Sequence, residues 1–98
     1  MKIFLDDTRE PPEGWVRAYW PDEVIYWLKT ADVTEVSLDH DLGDDARGTG
    51  YDVILWIEEQ AACFGYKPPV IKVHSANPPA RMKMESGIKT ILRLARIN

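Results

Sequence analysis

Short apolar runs alternate along the chain with longer segments in which apolar residues recur at helical spacing. Four runs of four or five residues have the composition of strands; they are residues 2–5, 15–19, 35–39 and 70–74. Apolar residues three and four positions apart predict a helix after each of the last three runs. The order is therefore β-β-α-β-α-β-α. Strands that alternate with helices favour right-handed crossovers and a mostly parallel sheet.

Local signals set the helix boundaries. Pro21 suits the first position of a helix, with acidic residues in the turn that follows it. Thr49 begins a pattern that resembles a capping box for the second helix, and Gly65 is well placed to end that helix. Asn77 directly before Pro78 is an N-cap signal for the third helix.

The same spacing predicts which side chains are buried. They are Val24, Ile25 and Leu28 in the first helix, Val53, Ile54, Trp56, Ile57 and Ala61 in the second, and Met84, Ile88, Ile91, Leu92 and Ala95 in the third. Residues 8–14 are too rich in proline for a helix and predict an ordered loop. The second strand is expected at a sheet edge, where Arg17 remains in contact with water.

Length and composition favour one domain, residues 1–98, with a core that needs no cross-link. The single cysteine, Cys63, excludes an intramolecular disulfide and fits a reducing cytosol. No stretch is long and apolar enough to span a bilayer, and a strand follows Met1 directly in place of a signal peptide. The protein is therefore expected to be soluble and cytoplasmic.

Charge is distributed unevenly along the chain. The net charge is −4, but residues 1–66 hold five Lys/Arg and fifteen Asp/Glu, a balance of −10, whereas residues 67–98 hold seven and one, a balance of +6. An ordinary solvated surface accounts for this pattern. The alternative is an acidic metal site beside a basic helix that faces an anion. The cations of the last helix are expected to face solvent; they are Arg81, Lys83, Lys89, Arg93 and Arg96.

Polar residues follow three of the predicted strands at the point where each strand ends. These segments are Asp6-Asp7, Asp39-His40-Asp41 and His74-Ser75. Charged groups are rarely placed at the end of a buried strand unless something binds them. The carboxyl ends of parallel strands lie at one edge of a sheet, which is where ligands bind in open α/β folds. The three segments are therefore expected to form one site.

The acidic residues of this edge suit a hard divalent cation. Asp6, Asp7, Asp39 and Asp41 supply carboxylate oxygens, the ligand type that Mg²⁺ and Mn²⁺ prefer. The alternative is that these residues form turns, a role that Asp often has.

The histidines and the start of the last helix suit phosphate chemistry. His40 and His74 are candidates for general acid–base catalysis because imidazole titrates near neutrality, although either could be a structural hydrogen-bonding group. Backbone N–H groups at a helix start attract phosphate, which places Ser75 and Asn77 in a phosphate-binding set even if Asn77 is also the N-cap. Two cations are assigned to the same set, Arg81 one turn into the helix and Arg9 after the first strand.

Four segments together resemble the cyclic-phosphate-processing receiver domains. They are residues 4–7, 37–43, 48–52 and 73–77, and the resemblance covers nearly the whole chain. It implies a small receiver-like, flavodoxin-like sheet of four strands flanked by three helices. It also implies a role in handling cyclic phosphates on nucleotides or RNA ends.

By position in this resemblance, Asp6, Asp7 and Asp39 match the receiver metal and phospho-acceptor set. His40 and His74, with Ser75 and Asn77, match features of the cyclic-phosphate group. Ordinary receivers have a helix between the first two strands, and a fifth strand preceded by a lysine that contacts the acyl phosphate. This chain has a proline-rich loop and no assignable lysine. The domain is therefore expected to be truncated relative to ordinary receivers, and phosphorelay signalling is disfavoured.

The predicted function is divalent-metal-dependent hydrolysis of a cyclic phosphate on a nucleotide or RNA end. Asp39, His40 and His74 are the predicted catalytic residues, with one histidine as base and the other as acid. A second hypothesis is a non-catalytic module that sequesters a cyclic nucleotide, and a third is a receiver phosphorylated on Asp39. The predicted partner is the cyclic phosphate itself, with no membrane and no duplex DNA.

Overall fold

Four parallel strands form one sheet in the structure, a computed structural model that describes residues 1–97. The strands are β1 (Lys2–Leu5), β2 (Trp15–Ala18), β3 (Glu35–Leu38) and β4 (Val70–Val73), and the helices are α1 (Pro21–Thr30), α2 (Gly50–Phe64) and α3 (Pro78–Ile97). The strand order is β2-β1-β3-β4, which fits a flavodoxin-like arrangement. The predicted α/β fold and element order are confirmed.

The helix boundaries follow the capping signals. The Thr49 hydroxyl accepts a hydrogen bond from the Tyr51 N–H at 3.3 Å, and Asp52 accepts one from the Thr49 N–H at 2.8 Å. Gly65 ends α2 with a φ of 65°, a conformation that glycine adopts without steric cost. The Asn77 side chain accepts from the Ala80 N–H at 3.3 Å, as expected of an N-cap. Local sequence therefore determines where α2 and α3 begin.

The helices pack on one face of the sheet. Their buried side chains form a single core with alternate residues of the strands; the strand members are Ile3, Leu5, Ala18, Val36 and Leu38. The connection between β1 and β2 contains no helix. The opposite face is instead covered by its own side chains, including Phe4, whose ring meets that of Trp15 edge-on at 6.3 Å. The sheet thus has one face packed against helices and one face open to the site described below.

Two predictions about exposure are wrong. Leu92, predicted to be buried, is 51% exposed, because it lines an open apolar groove with Val70 and Ile88. Arg17, predicted to remain in water, has a side chain only 16% exposed. Its guanidinium turns onto the loop after β1 and binds main-chain carbonyls there.

Within residues 1–97, no helix combines the length and the apolar character that crossing a bilayer requires.

Candidate functional site

Main-chain hydrogen bonds hold three polar residues side by side at the carboxyl edge of the sheet. The Asp39 N–H donates to the Leu5 carbonyl and the His74 N–H donates to the Leu38 carbonyl, each at 3.0 Å. Strand register therefore continues one residue beyond the strand ends. Because Leu5 and Leu38 point into the core and side chains alternate along a strand, Asp6, Asp39 and His74 point to the face without helices. The predicted convergence of the strand ends is observed.

Three carboxylates meet at this edge. Asp6, Asp7 and Asp39 each offer an oxygen, and these atoms lie within 4.8 Å of one another. Asp6 is fully buried and Asp39 is 9% exposed. Burial, followed by repulsion from Asp6, raises the pKa of Asp39 above its ordinary value. A cation between these groups would offset their repulsion.

Two of the three carboxylates retain unused ligand oxygens. Asp39 Oδ1 accepts from the His40 N–H at 2.8 Å, but Asp39 Oδ2 and both oxygens of Asp7 accept no hydrogen bond from the described residues. A convergent set of hard oxygen donors is the ligand chemistry of Mg²⁺ and Mn²⁺. The residues present therefore fit a divalent cation.

Asp6, in contrast, is surrounded by donors from the protein. Its Oδ1 accepts from the N–H groups of Thr8 and Arg9 at 2.9 and 3.0 Å. Its Oδ2 accepts from Arg9 Nη1 at 3.2 Å and from His74 Nε2 at 3.0 Å. Burial alone would raise the pKa of Asp6, but the hydrogen bonds from the Arg9 and Thr8 N–H groups and from His74 outweigh burial and hold the pKa below its ordinary value. Asp6 is therefore a stable anion at neutral pH.

Two arginines fix the loop that carries Asp6. Arg9 Nη1 also donates to the His74 carbonyl at 2.9 Å, which joins this loop to the end of β4. Arg17 donates to the Asp6 carbonyl at 3.0 Å and to the Arg9 carbonyl. The loop is thereby held against the sheet edge.

His74 lies flat on the open face of the sheet. Its ring stacks on Phe4, with the ring centroids 4.3 Å apart, and its Nδ1 lies 2.7 Å from Ser37 Oγ. The ionised Asp6 carboxylate only accepts hydrogen bonds, so Nε2 carries the proton and Nδ1 accepts from the Ser37 hydroxyl. Burial lowers the pKa of His74 in spite of the opposing effect of Asp6. His74 is thus a neutral imidazole whose donor atom faces the carboxylate cluster.

His40 has a different environment. Its Nδ1 lies 2.9 Å from Asp41 Oδ1, and the amide of Asn77 donates to Asp41 Oδ2 at 3.4 Å. The hydrogen bond from His40 lowers the pKa of Asp41. An ionised Asp41 places the proton on Nδ1 and leaves the lone pair of Nε2 unused among the described residues. Asp41, predicted as a metal ligand, is not one of the three carboxylates that meet at the edge; its hydrogen bond orients His40 instead.

Glycine at position 50 allows α2 to begin beside Asp39. A Cβ at Gly50 would lie 1.9 Å from the Asp39 carbonyl oxygen. The Gly50 N–H donates to the His40 carbonyl at 3.3 Å. This close approach locks the segment carrying Asp39 and His40 against the helix.

A family model of the cyclic-phosphate processing receiver domain matches residues 1–90, a range that contains every side chain of the edge described above. The chain belongs to this family. No curated protein and no solved structure gave a significant match to the chain.

The start of α3 in this receiver domain contains one buried polar residue and two that are more accessible to solvent. Ser75, predicted to bind phosphate, is 1% exposed, and its hydroxyl accepts from the Asn77 N–H at 3.1 Å. Arg81 is exposed, and its Nη2 donates to the Ser75 carbonyl at 3.0 Å. Ser75 therefore shapes the turn, whereas Asn77 and Arg81 lie closer to solvent.

Sequence reasoning did not single out Ser37, Phe4 or Arg17 as supports of the site. The available signal is alternation: Phe4 and Ser37 stand two residues before Asp6 and Asp39 and so share their face of the sheet. The proline-rich loop between β1 and β2 indicates that this connection supplies no helix to cover the face that carries Asp6 and Asp39. A serine in a strand of the receiver domain, on that face, is a potential partner for the histidine at the end of the next strand.

Proposed function

We propose that this receiver domain is a divalent-metal-dependent phosphoesterase that opens a cyclic phosphate on a nucleotide or RNA end. One observation carries the proposal: three carboxylates meet at the sheet edge, His74 is hydrogen-bonded to one of them, and His40, whose N–H binds Asp39, has its ring bonded to Asp41. Membership of a cyclic-phosphate processing family supports the choice of substrate.

The three carboxylates have different proposed roles in binding a cation. Asp7 and Asp39 would bind it through their unused oxygens, and Asp6 would add charge from beneath. A bound divalent cation would supply positive charge opposite the phosphoryl oxygens, where charge builds up during the reaction. The cation and the anionic substrate would each offset the charge of the other at this edge.

His40 is the proposed general base. Asp41 holds its Nδ1–H, so Nε2 accepts the proton of a water molecule that attacks phosphorus. One bond forms between water oxygen and phosphorus, and one bond breaks between phosphorus and a ribose oxygen. The released ribose oxygen gains a proton, so the reaction consumes one water molecule. Asn77 contributes by orienting Asp41.

His74 is the proposed donor to the substrate. Delivery of a proton to the leaving oxygen requires the imidazolium form, which the lowered pKa of His74 confines to acidic pH. At neutral pH its one Nε2–H is donated to Asp6 Oδ2 at 3.0 Å, so a charged substrate oxygen would have to share or displace that hydrogen bond to be stabilised by His74. Ser37 and Phe4 keep the ring in the orientation that this role requires.

The phosphate is expected to contact the cations nearest the edge. Arg9 reaches from the loop above Asp6, and Arg81 from the first turns of α3. Guanidinium groups bind phosphate oxygens well because they present paired N–H donors.

The test is a panel of 2′,3′-cyclic nucleotides, cyclic dinucleotides and RNA with a cyclic-phosphate end, each with Mg²⁺ or Mn²⁺. Turnover of at least one class is expected, with loss of turnover in chelator and in the Asp39→Asn variant. The matched control is Asp45→Asn, which removes an equal charge from the exposed loop before α2.

Two other outcomes would select the competing functions. Tight binding of a cyclic nucleotide that is recovered intact would indicate a binding module and reject hydrolysis. Beryllofluoride binding that depends on Asp39, without turnover of any substrate, would indicate a phospho-accepting receiver.

A further inference from the structure

Four cations form a stripe along the exposed side of α3. At 3.6 residues per turn they lie within about 120° of one another around the helix axis, and they span roughly 22 Å along it; the four are Arg81, Lys89, Arg93 and Arg96. All four side chains are exposed. Glu85 is the single acidic residue among positions 67–98. Glu85 is exposed and lies about 40° from Arg81 around the helix axis, so the stripe consists of four cations and one carboxylate.

The stripe starts at the candidate active site. The helix begins beside Asn77, whose amide contacts Asp41, and Arg81 binds the Ser75 carbonyl at the same corner. Lys89, Arg93 and Arg96 follow along the helix, and none of them makes an ion pair with another described residue. A polyanion with one end in the site would find its next charges opposite these three cations.

The rest of the chain repels a polyanion. Residues 1–66 have a balance of −10, and residues 67–98 a balance of +6. Electrostatic attraction would therefore direct an extended anion onto α3 and away from the rest of the surface. A free cyclic mononucleotide carries one phosphate and is too small to contact all four cations of the stripe.

We propose that α3 binds the sugar–phosphate backbone of an RNA strand whose 2′,3′-cyclic phosphate end lies in the active site. This inference rests on the proposed function and narrows its substrate from nucleotides in general to RNA ends. Backbone contacts of this kind give affinity and register without base specificity.

Binding can be measured without turnover. The probe is a fluorescent single-stranded RNA of about ten nucleotides ending in a 3′-phosphate, followed by anisotropy at several salt concentrations. Each contacted phosphate contributes about −0.7 to the slope of log affinity against log salt, so four cations predict a slope near −3. The same RNA with a 3′-hydroxyl should bind more weakly, because its end leaves the site empty.

The Lys89→Glu/Arg93→Glu variant tests the stripe itself. Loss of two phosphate contacts should reduce the magnitude of the slope by about 1.4. The factor by which affinity falls between 50 and 200 mM salt should then be roughly sevenfold smaller than in the wild type. Hydrolysis of a cyclic mononucleotide should stay within about twofold, because neither residue lies at the site. Lys29→Glu is the control, since it reverses an exposed charge on α1, which packs against α2, β1 and β2.

Several results would overturn the inference. They are equal affinity for RNA and for a mononucleotide, a slope that Lys89→Glu/Arg93→Glu leaves unchanged, equal binding of the 3′-hydroxyl RNA, or equal binding of polyglutamate. If RNA binds through α3 as expected but no cyclic phosphate is cleaved, the proposed hydrolysis fails and the RNA surface stands. If mononucleotides are cleaved and RNA binding ignores α3, the hydrolysis stands and the RNA surface fails.

Discussion

Asp6 and Asp39 occupy equivalent positions at the ends of neighbouring strands, yet the protein treats them in opposite ways. Asp6 lies in a corner with Arg9 and His74, where donors reach both of its oxygens and lower its pKa. Asp39 lies in a corner with His40, where a single main-chain N–H reaches Oδ1 and its pKa is raised by burial and by Asp6. The carboxylate of Asp6 thus accepts several hydrogen bonds, whereas that of Asp39 accepts one.

The difference in hydrogen bonding suggests that Asp6 has mainly a structural role and that Asp39 is mainly a ligand. A buried charge with only one hydrogen bond costs free energy, so Asp39 is expected to favour the bound state more than the fold itself. Asp6 needs no ligand, because the protein supplies its donors. We therefore expect substitutions in the Asp39 corner to affect binding and chemistry, and substitutions of Asp6 to affect folding.

The largest expected effect is on turnover in the two histidine variants. His40→Gln removes the proposed base and should lower kcat by roughly 10²–10⁴-fold. His74→Gln should also abolish most turnover, because the donor to the substrate is lost. Both variants should bind Mn²⁺ nearly as well as the wild type, since neither histidine is a proposed ligand. Metal titration by calorimetry, with steady-state kinetics on the same preparations, checks this, and a loss of metal affinity in either variant would make that histidine a ligand.

Asp39→Asn should show the opposite signature. Loss of a direct ligand should weaken metal affinity by at least the roughly 10–100-fold that loss of an outer-shell partner costs, and turnover should fall with it. Without metal the variant should be at least as stable as the wild type, because the raised pKa marks an ionised group that the fold disfavours. Thermal unfolding in chelator measures the second effect. If Asp39→Asn unfolds the protein while activity per folded molecule survives, Asp39 is a structural cap.

The sequence predicted the convergence of the strand ends because topology alone requires it. Parallel strands in this order bring Asp6, Asp39 and His74 to one edge whatever their side chains do. Side-chain direction was harder to predict. Whether Asp41 contacts a metal or His40 depends on rotamers and on Asn77, which is 36 residues away in the chain. Helical periodicity predicts which side of α3 faces inward but not how much of that side other elements cover, so Leu92 was predicted to be buried although it lines an open groove.

Asp6→Asn should reduce stability where Asp39→Asn does not. The amide would turn an N–H group towards His74 Nε2 or Arg9 Nη1, both of which are donors, and leave buried groups unsatisfied. The expected cost is about 2–3 kcal/mol in the free energy of unfolding. Urea denaturation in chelator measures it, with Asp7→Asn as the matched control because Asp7 accepts no hydrogen bond from the described residues. Equal stability of the two variants would contradict the distinction between the corners.

The smallest expected effect is on the pH dependence of stability without metal, where the two corners act in opposite directions. His74 has a folded-state pKa below 6.5, so the unfolded chain takes up its proton first as pH falls, and the stability present above pH 6.5 is lost towards the folded-state pKa. Asp39 has a folded-state pKa raised above 3.8, so the native state takes up that proton first and stability is gained as pH falls through the raised pKa. His74→Gln should therefore flatten the acid decline, by at most about 1.4 kcal/mol per pH unit, and Asp39→Asn should steepen it. Urea denaturation of both variants between pH 4 and 7.5 measures the two slopes. If both variants change the pH dependence of stability in the same direction, His74 and Asp39 do not have pKa values shifted as described. The proposed difference between the two corners would then be wrong.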